Sequence, residues 1–506
     1  MQNIVRELLS KRDLRHLAII DALLQRKHTI KELSKKLNIQ AKTISLDIKD
    51  INNYIMPIKI AISYEGVSLI MTKNTSSRYL YNQVLKQSRE IFLIEEMFFR
   101  KKLSVPALSK KFFVSEMTLR RRINQINKKI KPMGIAIDTK RMQFSGGNNE
   151  LIQLLTFVMS EKYYSTSFYL SEKELALLDA LFKEVIPNIQ LNFPDLEKMR
   201  LLVCLRMQLI RKGEAVYSNN IRPLTCSVEL KEEIDSHFGI ELSEKTLSYL
   251  FDQYINAGFS FDCQKMPRDE TYDKQKEEFI DSLTQLVTEI SQTFKICCSN
   301  QKELVEDIYN ISNTNKKCMS TIYNRQKNFL DNLPVSLEPI SIYLRNAIDN
   351  KFNQQLDKSR VDEITYVIMT HWQGLIRDIS HSVGHILVGV FYDNDIEHTN
   401  FICNAVSSVS PVDVVSIIPE EINLEALVKT IAKLDLLVTN IPNIASENDK
   451  VICTEDFPSQ QDLTNIRRKI LEIYNKRIIE MIENTQTGMP DNQASFLLVN
   501  KRLISP

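Results

Sequence analysis

The first 150 residues contain one sequence pattern twice, at an offset of 75 residues. When the chain is aligned with itself at this offset, apolar residues fall on apolar residues almost throughout. The aligned pairs include Ile19 and Ile94, Ile44 and Leu119, Ile60 and Ile135, and Ile62 and Ile137. A repeat of this kind indicates one supersecondary unit present in two copies. The chain is therefore expected to begin with two related folds.

Each copy is predicted to form three helices followed by a β-hairpin. In the first copy, residues 14–26 carry a helical apolar stripe, and Thr29 and Glu32 have the spacing of a capping box that opens a short helix. Residues 40–55 form the third helix, with their isoleucines in one narrow stripe. Strand-like alternation on both sides of the turn at residues 63–66 completes the copy. This order is typical of a winged helix-turn-helix unit, whose third helix enters the major groove of DNA.

The outward face of each third helix is the predicted DNA-binding surface. In the second copy Ser115 is the predicted N-cap, and the side opposite Leu119 presents groups suited to base edges and phosphates. The predicted contacts are Ser115, Thr118, Arg120, Arg121, Arg122, Gln125 and Lys128 in the second copy, and Thr43, Leu46, Lys49 and Asn53 in the first. The alternative is a solvated basic helix in an interaction domain.

The two predicted faces differ in charge. Leu46 stands where the second copy has Arg121, and Asp47 stands where it has Arg122. The second copy is therefore expected to bind phosphates more strongly. Two roles stay open for the first copy, because Leu46 suits a thymine methyl group and the copy also suits a mainly positioning role.

Charge is distributed unevenly along the chain. Residues 1–150 hold 29 Lys and Arg against 13 Asp and Glu, whereas the remaining residues hold 36 against 50. Neutralising phosphates releases counterions and drives association, so a basic segment of this kind points to double-stranded DNA as its partner. A merely solvated basic surface is the alternative.

The rest of the chain is predicted to form three further domains. Longer helices fill residues 149–384 in two sets. From residue 385, the short apolar runs ILVGVF, VDVVSII, LDLLVTN and VICTEDF alternate with helical segments, which is typical of a parallel sheet covered by helices. The fold class is thus mainly α and multidomain. The predicted domains are 1–72, 73–148, 149–272, 273–384 and 385–506.

Several classes of protein are not expected. The first residues, MQNIVRELLSKRDLRH, lack the apolar core of a signal peptide, and no later run approaches the roughly 18 apolar residues of a membrane span. A cytoplasmic protein is therefore expected. The eight cysteines form no CxxC pair and have no His partner at zinc-ligand spacing, so we expect reduced thiols, no metal and no cofactor.

Taken in this order, the chain resembles the Mga, RofA and AtxA family of stand-alone virulence regulators of Gram-positive bacteria. The likeness rests on the paired segments HTIKELSKKLNIQAKTISLDI and LSVPALSKKFFVSEMTLRRRI, and on GHILVGVFYDNDIEHTNFICNAV. The resemblance implies tandem winged helix-turn-helix domains, two regulation domains of the sugar phosphotransferase system, and a C-terminal α/β domain similar to its EIIB component. It also implies a homodimer that associates through the C-terminal domains, and contact with phosphocarrier proteins of that system.

The chain departs from this pattern at the positions of phosphorylation. Regulation domains of this type often carry a His after a Glu-initiated apolar helix, but Gln253 stands near that place in the first domain. His371 in the second domain and His237 in DSHFG are candidate phosphorylation sites, with a structural or surface imidazole as the alternative. An EIIB enzyme uses a Cys directly after its first strand, whereas this loop is FYDNDIEH and Cys403 lies in the following helix. No enzymatic activity is therefore expected.

The sequence favours a transcription regulator that binds promoter DNA. One alternative is an RNA-binding antiterminator, which carries similar regulation domains but begins with a small β-rich RNA-binding domain. Another is an EIIB-type phosphocarrier enzyme, against which the missing loop cysteine argues.

Overall fold

The computed structural model describes residues 4–100, 103–163, 165–186, 193–213, 224–255, 274–314, 322–408, 413–417, 424–442 and 449–486. The chain forms two compact units. One comprises Met1–Pro267 with Asn313–Arg325, and the other comprises Arg268–Ser312 with Gln326–Pro506. Helices dominate the described residues, so the predicted mainly helical, multidomain class is confirmed. The bounds of the five predicted domains are finer than this division and stay predictions.

The N-terminal elements follow the predicted order of the two copies. They are α1 (Ile4–Leu8), α2 (Lys11–Gln25), α3 (Ile30–Leu37), α4 (Ala41–Asn52), β1 (Lys59–Ser63), β2 (Gly66–Ile70), α5 (Ser77–Gln87), α6 (Arg89–Phe99), α7 (Val105–Lys111), α8 (Glu116–Ile130), β3 (Ile135–Asp138) and β4 (Gln143–Gly146). We call α2 to β2 the first repeat and α6 to β4 the second repeat. Each consists of three helices and an antiparallel hairpin.

Local sequence signals account for the helix starts. Thr29 and Glu32 form the predicted capping box at the start of α3. The Ser115 hydroxyl accepts a hydrogen bond from the backbone N–H of Thr118 at 3.2 Å, as expected for the N-cap of α8. Helix α5 was not predicted, although Leu80 and Val84 are buried at helical spacing. The predicted pattern of three helices and a hairpin therefore lacks the helix that connects the repeats.

The hairpins correct the predicted alignment. Asn52 donates to the carbonyl oxygen of Ile60 at 2.9 Å and accepts from its N–H at 2.8 Å. Asn127 makes the same two bonds with Ile137, at 2.9 and 2.7 Å. The offset between the repeats therefore grows from 75 to 77 residues before the strand. Ile62, which the constant offset pairs with Ile137, is 55% exposed, whereas Ile137 is buried. That pairing was wrong, and so was the pairing of Ile60 with Ile135, because Ile60 is equivalent to Ile137.

Five helices complete the described part of the first unit. They are α9 (Asn148–Lys162), α10 (Glu172–Val185), α11 (Phe193–Arg211), α12 (Val228–Phe238) and α13 (Glu244–Ile255). The core of the two repeats continues into α9 through Leu154 and Leu155, and a second core lies among α10 to α13. The side chain of Gln253 lies outside the described residues.

The remaining elements are helices followed by a small sheet. They are α14 (Lys274–Phe294), α15 (Gln301–Thr314), α16 (Arg325–Asp331), α17 (Glu338–Lys351), α18 (Lys358–His371), α19 (Leu375–Val383), β5 (Leu387–Phe391), α20 (Ile396–Ser407), β6 (Asp413–Ser416), α21 (Leu424–Lys433), β7 (Leu436–Thr439), β8 (Val451–Cys453) and α22 (Gln460–Gln486). The four strands are parallel in the order β6-β5-β7-β8, which confirms the predicted C-terminal parallel sheet. Among the helices described, none has the length and apolar character to cross a bilayer.

Candidate nucleic-acid interface

Helix α8 presents a polar and basic face to solvent. Its apolar stripe, which includes Leu119 and Ile123, is buried in the repeat core. Because successive residues are rotated by about 100°, the residues between the stripe positions point outward. The exposed side chains of α8 are Glu116, Met117, Arg120, Arg121, Asn124, Gln125 and Lys128. Four of the predicted contacts, Arg120, Arg121, Gln125 and Lys128, are therefore together on one accessible surface.

The two predicted contacts at the start of α8 act first on the helix itself. Ser115 is exposed, and its hydroxyl lies 2.9 Å from that of Thr118. Thr118 is half-buried. Their backbone and side-chain bonds fix the start of α8, and so they set the position of the basic residues one turn later.

Arg122 is turned away from this face. It is half-buried, and its Nη1 atom is buried without a hydrogen-bond partner among the described residues. Burial raises the pKa of Glu90 on α6, while the charges of Arg122 and Lys129 act in the opposite direction. Arg122 thus interacts with α6, and the neighbouring Lys129 donates to the backbone carbonyl oxygens of Glu7 and Leu9.

Helix α4 presents a weaker face at the equivalent place. Lys49 and Asn53 are exposed, Thr43 is half-buried, and Leu46 is 56% exposed. The four predicted contacts of the first repeat therefore share the outer surface of α4. Only one of the four is charged, and one is apolar. Lys42, at the position equivalent to Met117, is a further exposed cation of α4, so this face has two cations where the face of α8 has three.

Asp47 belongs to the interior of the first repeat. It is 4% exposed, and both of its carboxylate oxygens accept hydrogen bonds from Arg15 on α2, at 2.8 and 2.9 Å. Burial pushes the pKa of Asp47 upward, but the hydrogen bonds and charge of Arg15 outweigh it and hold the pKa below its usual value. The positions equivalent to Arg15 and Asp47 in the second repeat are Glu90 and Arg122. The charges at these two positions are therefore reversed in the second repeat, where Arg122 acts on Glu90 through its charge and not through a direct ion pair like that of Arg15 and Asp47.

A second arginine neutralises the other acidic residue of α4. Arg12 lies 3.0 Å from the Asp50 carboxylate. His16, Asp47 and Asp50 have ligand atoms within 4.8 Å of one another, a spacing that suits a metal ion. Because Arg15 and Arg12 already bind the two carboxylates, we propose no metal there.

The hairpin tip of the second repeat, like its third helix, is more basic than that of the first repeat. In the first repeat Tyr64 is 98% exposed, and Glu65 pairs with Lys27 at 2.5 Å. In the second, Lys140 and Arg141 are exposed. Their backbone N–H groups donate to the Asp138 carboxylate at 2.7 and 3.1 Å.

Three of the exposed residues that the predicted contacts leave out lie on α8 or at the hairpin tip of the second repeat. They are Met117, Lys140 and Arg141. The signals were present, since Met117 stands one helical turn before Arg121, and the other two form a basic pair in a turn.

The second repeat also has the larger net positive charge. Residues 11–70, which form the first repeat, carry 11 Lys and Arg against 6 Asp and Glu, whereas residues 89–146, which form the second, carry 14 against 5. A nearby polyanion therefore experiences the stronger attraction at the second repeat.

The two candidate phosphorylation sites lie in different settings. His237 is exposed near the end of α12. His371 ends α18, and its Nδ1 atom lies 2.6 Å from the Asp307 carboxylate. Asn300 donates to the backbone carbonyl oxygen of His371 at 2.9 Å. The ring of His371 is thus oriented by a carboxylate, which is a common way to fix an imidazole tautomer.

The loop after β5 has no cysteine. It contains Asp393 and Asn394, and the Asn440 side chain donates to the Asp393 and Asp456 carboxylates at 2.5 and 2.9 Å. Burial raises the pKa of Cys403, which lies in α20. An acidic loop repels a phosphoryl group, and a neutral thiol is a poor nucleophile, so this edge of the sheet is unsuited to the EIIB reaction.

Comparison with known proteins bears directly on the segment that contains α8. Residues 73–163 match the Mga helix-turn-helix domain. The predicted resemblance to Mga-type regulators is confirmed. This Mga-type domain includes the whole second repeat, with Arg120 and Arg121, whereas the first repeat lies outside the matched residues.

Three relatives carry names of regulators. A protein of Streptococcus pneumoniae serotype 4, named as a trans-acting regulator, is 22% identical over 427 residues, which cover 80% of this chain and 86% of the relative. The capsule synthesis positive regulator AcpA of Bacillus anthracis is 25% identical over 209 residues, 40% of this chain and 43% of AcpA. The anthrax toxin expression trans-acting positive regulator of Bacillus anthracis is 23% identical over 234 residues, 44% of this chain and 49% of the relative.

Proposed function

We propose that this chain is a transcription regulator that binds double-stranded promoter DNA through α8 and α4. The observation that carries the proposal is the exposed basic face of α8 inside the Mga-type domain. Arg121 suits the O6 and N7 atoms of guanine, Gln125 suits adenine, and Lys128 suits a phosphate. Lys140 and Arg141 extend the same basic surface to the hairpin tip.

In this proposal the two helices have different tasks. Helix α8 supplies most of the affinity, because its cations neutralise phosphates. Helix α4 contributes through Thr43, Lys49 and Asn53, and Leu46 packs against a thymine methyl group. Two contacts on one chain lengthen the DNA footprint and raise the overall affinity through effective concentration.

Mapping of bound DNA tests the proposal. The purified chain is incubated with sheared genomic DNA, and the bound fragments are sequenced, with the Arg120→Ala, Arg121→Ala variant as control. We expect enrichment of a small set of promoter regions by the wild-type chain and its loss in the variant. Uniform recovery of the genome by both proteins would contradict specific binding. A parallel incubation with leader transcripts tests the antiterminator alternative, which requires tighter binding to RNA than to DNA.

The genes under control are proposed to be virulence genes, because two relatives are named as positive regulators of a capsule and of a toxin. We also propose that sugar phosphotransferase carriers phosphorylate His371, with His237 as a second site. Phosphorylation adds about −1.5 to −2 charge, which beside Asp307 produces repulsion and changes the packing of the domain. The variants His371→Ala and His371→Asp are expected to give opposite promoter output. Identical output from both, across sugars, would contradict this role.

Self-association through residues 386–506 is the last part of the proposal. Phe401 and Phe457 are both exposed, and their rings pack with centroids 6.0 Å apart, which makes an apolar patch suited to a second copy of the domain. The cytoplasm is the proposed location. Deletion of residues 386–506 is expected to convert a dimer into a monomer in light scattering, and an unchanged dimer would contradict it.

A further inference from the structure

The second repeat has a small groove beside the turn between α7 and α8. Its volume is about 220 Å³, and it is lined by Phe92, Phe112 and Phe113 together with Lys86 and Arg89. The Phe92 and Phe112 rings pack at 5.3 Å between centroids. Sites for small molecules usually occupy about 300–1,000 Å³, so a groove of this size suits one inserted side chain better than a metabolite.

Phe113 is an unfavourable residue at its position. Its φ of 51° places it in the left-handed region, which a bulky side chain rarely adopts, and the side chain is 94% exposed. The equivalent residue of the first repeat is Asn38, with a φ of 53°. Asparagine tolerates this conformation through local hydrogen bonding. A strained backbone position that carries an exposed aromatic ring, with no packing in return, points to a functional contact.

The fold itself does not require the groove. Phe92 is equivalent to Leu17 of the first repeat, which is buried, whereas Phe92 is exposed. The first repeat therefore closes its core at the place where the second leaves two aromatic rings accessible to solvent. Exposed aromatic residues that converge on one cavity mark interaction sites more often than isolated apolar residues do.

The surroundings of the groove are cationic. Lys86 and Arg89 line it, and the Lys111 ammonium lies 5.1 Å from the centroid of the Phe92 ring. The lining residues include no Asp or Glu. Glu96, which is adjacent, is bound by Lys111 at 2.6 Å. The groove thus combines an apolar centre with a positive rim, which is complementary to an acidic surface with one apolar side chain.

We infer that this groove docks an acidic protein segment of the transcription machinery, which inserts an apolar side chain between Phe92 and Phe113. The inference rests on the proposed function and adds that the chain raises transcription, as two relatives do according to their names. A regulator bound at a promoter can raise transcription by contacting the polymerase. A DNA phosphate is the competing ligand for the cations. Phosphate recognition gives no role to two exposed phenylalanine rings, whereas aromatic residues with an Arg beside them are typical of protein interfaces.

The test uses the full chain, a promoter fragment recovered by mapping, and purified RNA polymerase holoenzyme. Phe113→Asn introduces the residue that the first repeat uses at the same backbone conformation, so the fold is expected to survive. We expect this variant to bind the fragment within twofold of the wild-type affinity, and to lose at least fivefold of the stimulated transcription. Lys86→Glu with Arg89→Glu is expected to give the same result. Lys11→Glu, at an exposed lysine of α2 that precedes Lys86 by 75 residues, is the control and is expected to change neither measurement.

Three results would overturn the inference. If the Lys86 and Arg89 variant binds DNA more weakly with a smaller salt dependence, the groove holds a DNA phosphate. If the groove variants stimulate transcription like the wild type, the groove has no part in activation. If the wild-type chain binds the fragment without stimulating transcription, no activating contact exists. Failure of the wild-type chain to bind any promoter fragment would instead contradict the proposed function itself.

Discussion

The first and second repeats have the same framework and different surfaces. In both, an Asn near the end of the third helix clamps the following hairpin through two backbone hydrogen bonds, and an apolar stripe anchors that helix in the core. The exposed faces have diverged. Helix α8 presents Arg120 and Arg121, whereas α4 presents Ser45 and Leu46 at the same positions. Two copies of one fold can therefore be stabilised by equivalent residues and still contribute differently to DNA binding.

The interior has diverged in one instructive place. The first repeat joins α2 and α4 by Arg15 and Asp47, and the second places Glu90 and Arg122 at the same sites. A charge on the third helix of either repeat is therefore not by itself evidence of a DNA contact. Its meaning depends on the residue that faces it from the first helix of the same repeat.

The largest effect on stability is expected from breaking the buried pair of the first repeat. Asp47→Ala leaves the Arg15 guanidinium without its carboxylate partner, and we expect a loss of about 2 kcal/mol in the free energy of opening of α4. The figure is below that for a fully buried pair because the Arg15 side chain is 34% exposed and regains water. Hydrogen exchange of the α4 amides in the full chain measures it. Asp50→Ala, at the exposed pair with Arg12, is the control and is expected to cost less than about 1 kcal/mol.

Exchanging the charges of Arg15 and Asp47 tests whether the arrangement of the second repeat can replace that of the first. Asp47→Arg alone places two cations together and is expected to destabilise α4 at least as much as Asp47→Ala. Adding Arg15→Glu recreates the polarity of the second repeat, and part of the lost protection should return. If the double variant is no more protected than Asp47→Arg, the polarity reversal is not an equivalent interaction.

Removal of the Asn clamp is expected to have an intermediate effect that is equal in the two repeats. Asn52→Ala and Asn127→Ala each delete two hydrogen bonds to a strand, so each should cost about 1–2 kcal/mol. Amide exchange at Ile60 and Ile137 reports the two hairpins separately. Asn53→Ala is the control, because Asn53 is exposed. Clearly unequal losses would show that the two hairpins are held by different means.

A smaller effect, confined to the first repeat, is expected from pH. Burial lowers the pKa of His16, although Asp47 acts in the opposite direction and Tyr54 lies 2.9 Å from its Nδ1 atom. The neutral imidazole therefore contributes stability above pH 6.5, and this contribution is lost as the pH falls from there toward the folded pKa. One proton limits the slope to about 1.4 kcal/mol per pH unit. Exchange of the α4 amides between pH 7.5 and 5.5, corrected for intrinsic rates, measures it.

The second repeat supplies the control for this pH dependence. Its equivalent residue is Ile91, which is buried and does not titrate. His16→Ile should therefore remove the slope in α4, and α8 should show little slope from this source in either protein. A slope that persists in His16→Ile would assign the effect to another group.

Short-range signals made much of the fold predictable. The capping box at Thr29 and Glu32, the N-cap at Ser115 and the isoleucine stripe of α4 each depend on residues within a few positions of one another. These features fixed the helices without knowledge of tertiary structure. The parallel sheet was equally predictable, because short apolar runs alternate with helical segments.

Features that depend on distant residues were not predictable in this way. A helical projection shows which side of α8 is apolar, but only packing against α6 shows that Arg122 faces Glu90. Likewise Asp47 follows the exposed Leu46 in sequence, but its carboxylate is buried because it binds Arg15 on another helix. The sequence of α4 alone does not show this partner. The shift of two residues before β3 escaped detection because isoleucines recur at both offsets.

The central claim is that the second repeat provides most of the DNA affinity. It is tested most directly by titrating two double variants on one promoter fragment at several salt concentrations. Arg120→Ala with Arg121→Ala removes two exposed cations of α8, and Leu46→Ala with Lys49→Ala removes the matched contacts of α4. Neither pair touches a buried stripe, so circular dichroism should be unchanged.

We expect the α8 variant to lose nearly all specific binding, since a bidentate base contact is worth about 1–3 kcal/mol and each phosphate contact about one unit of the salt slope. The α4 variant should bind with moderately reduced affinity and a salt slope lower by about one. Equal losses for the two variants, or a greater loss for the α4 variant, would contradict the division of work between the repeats.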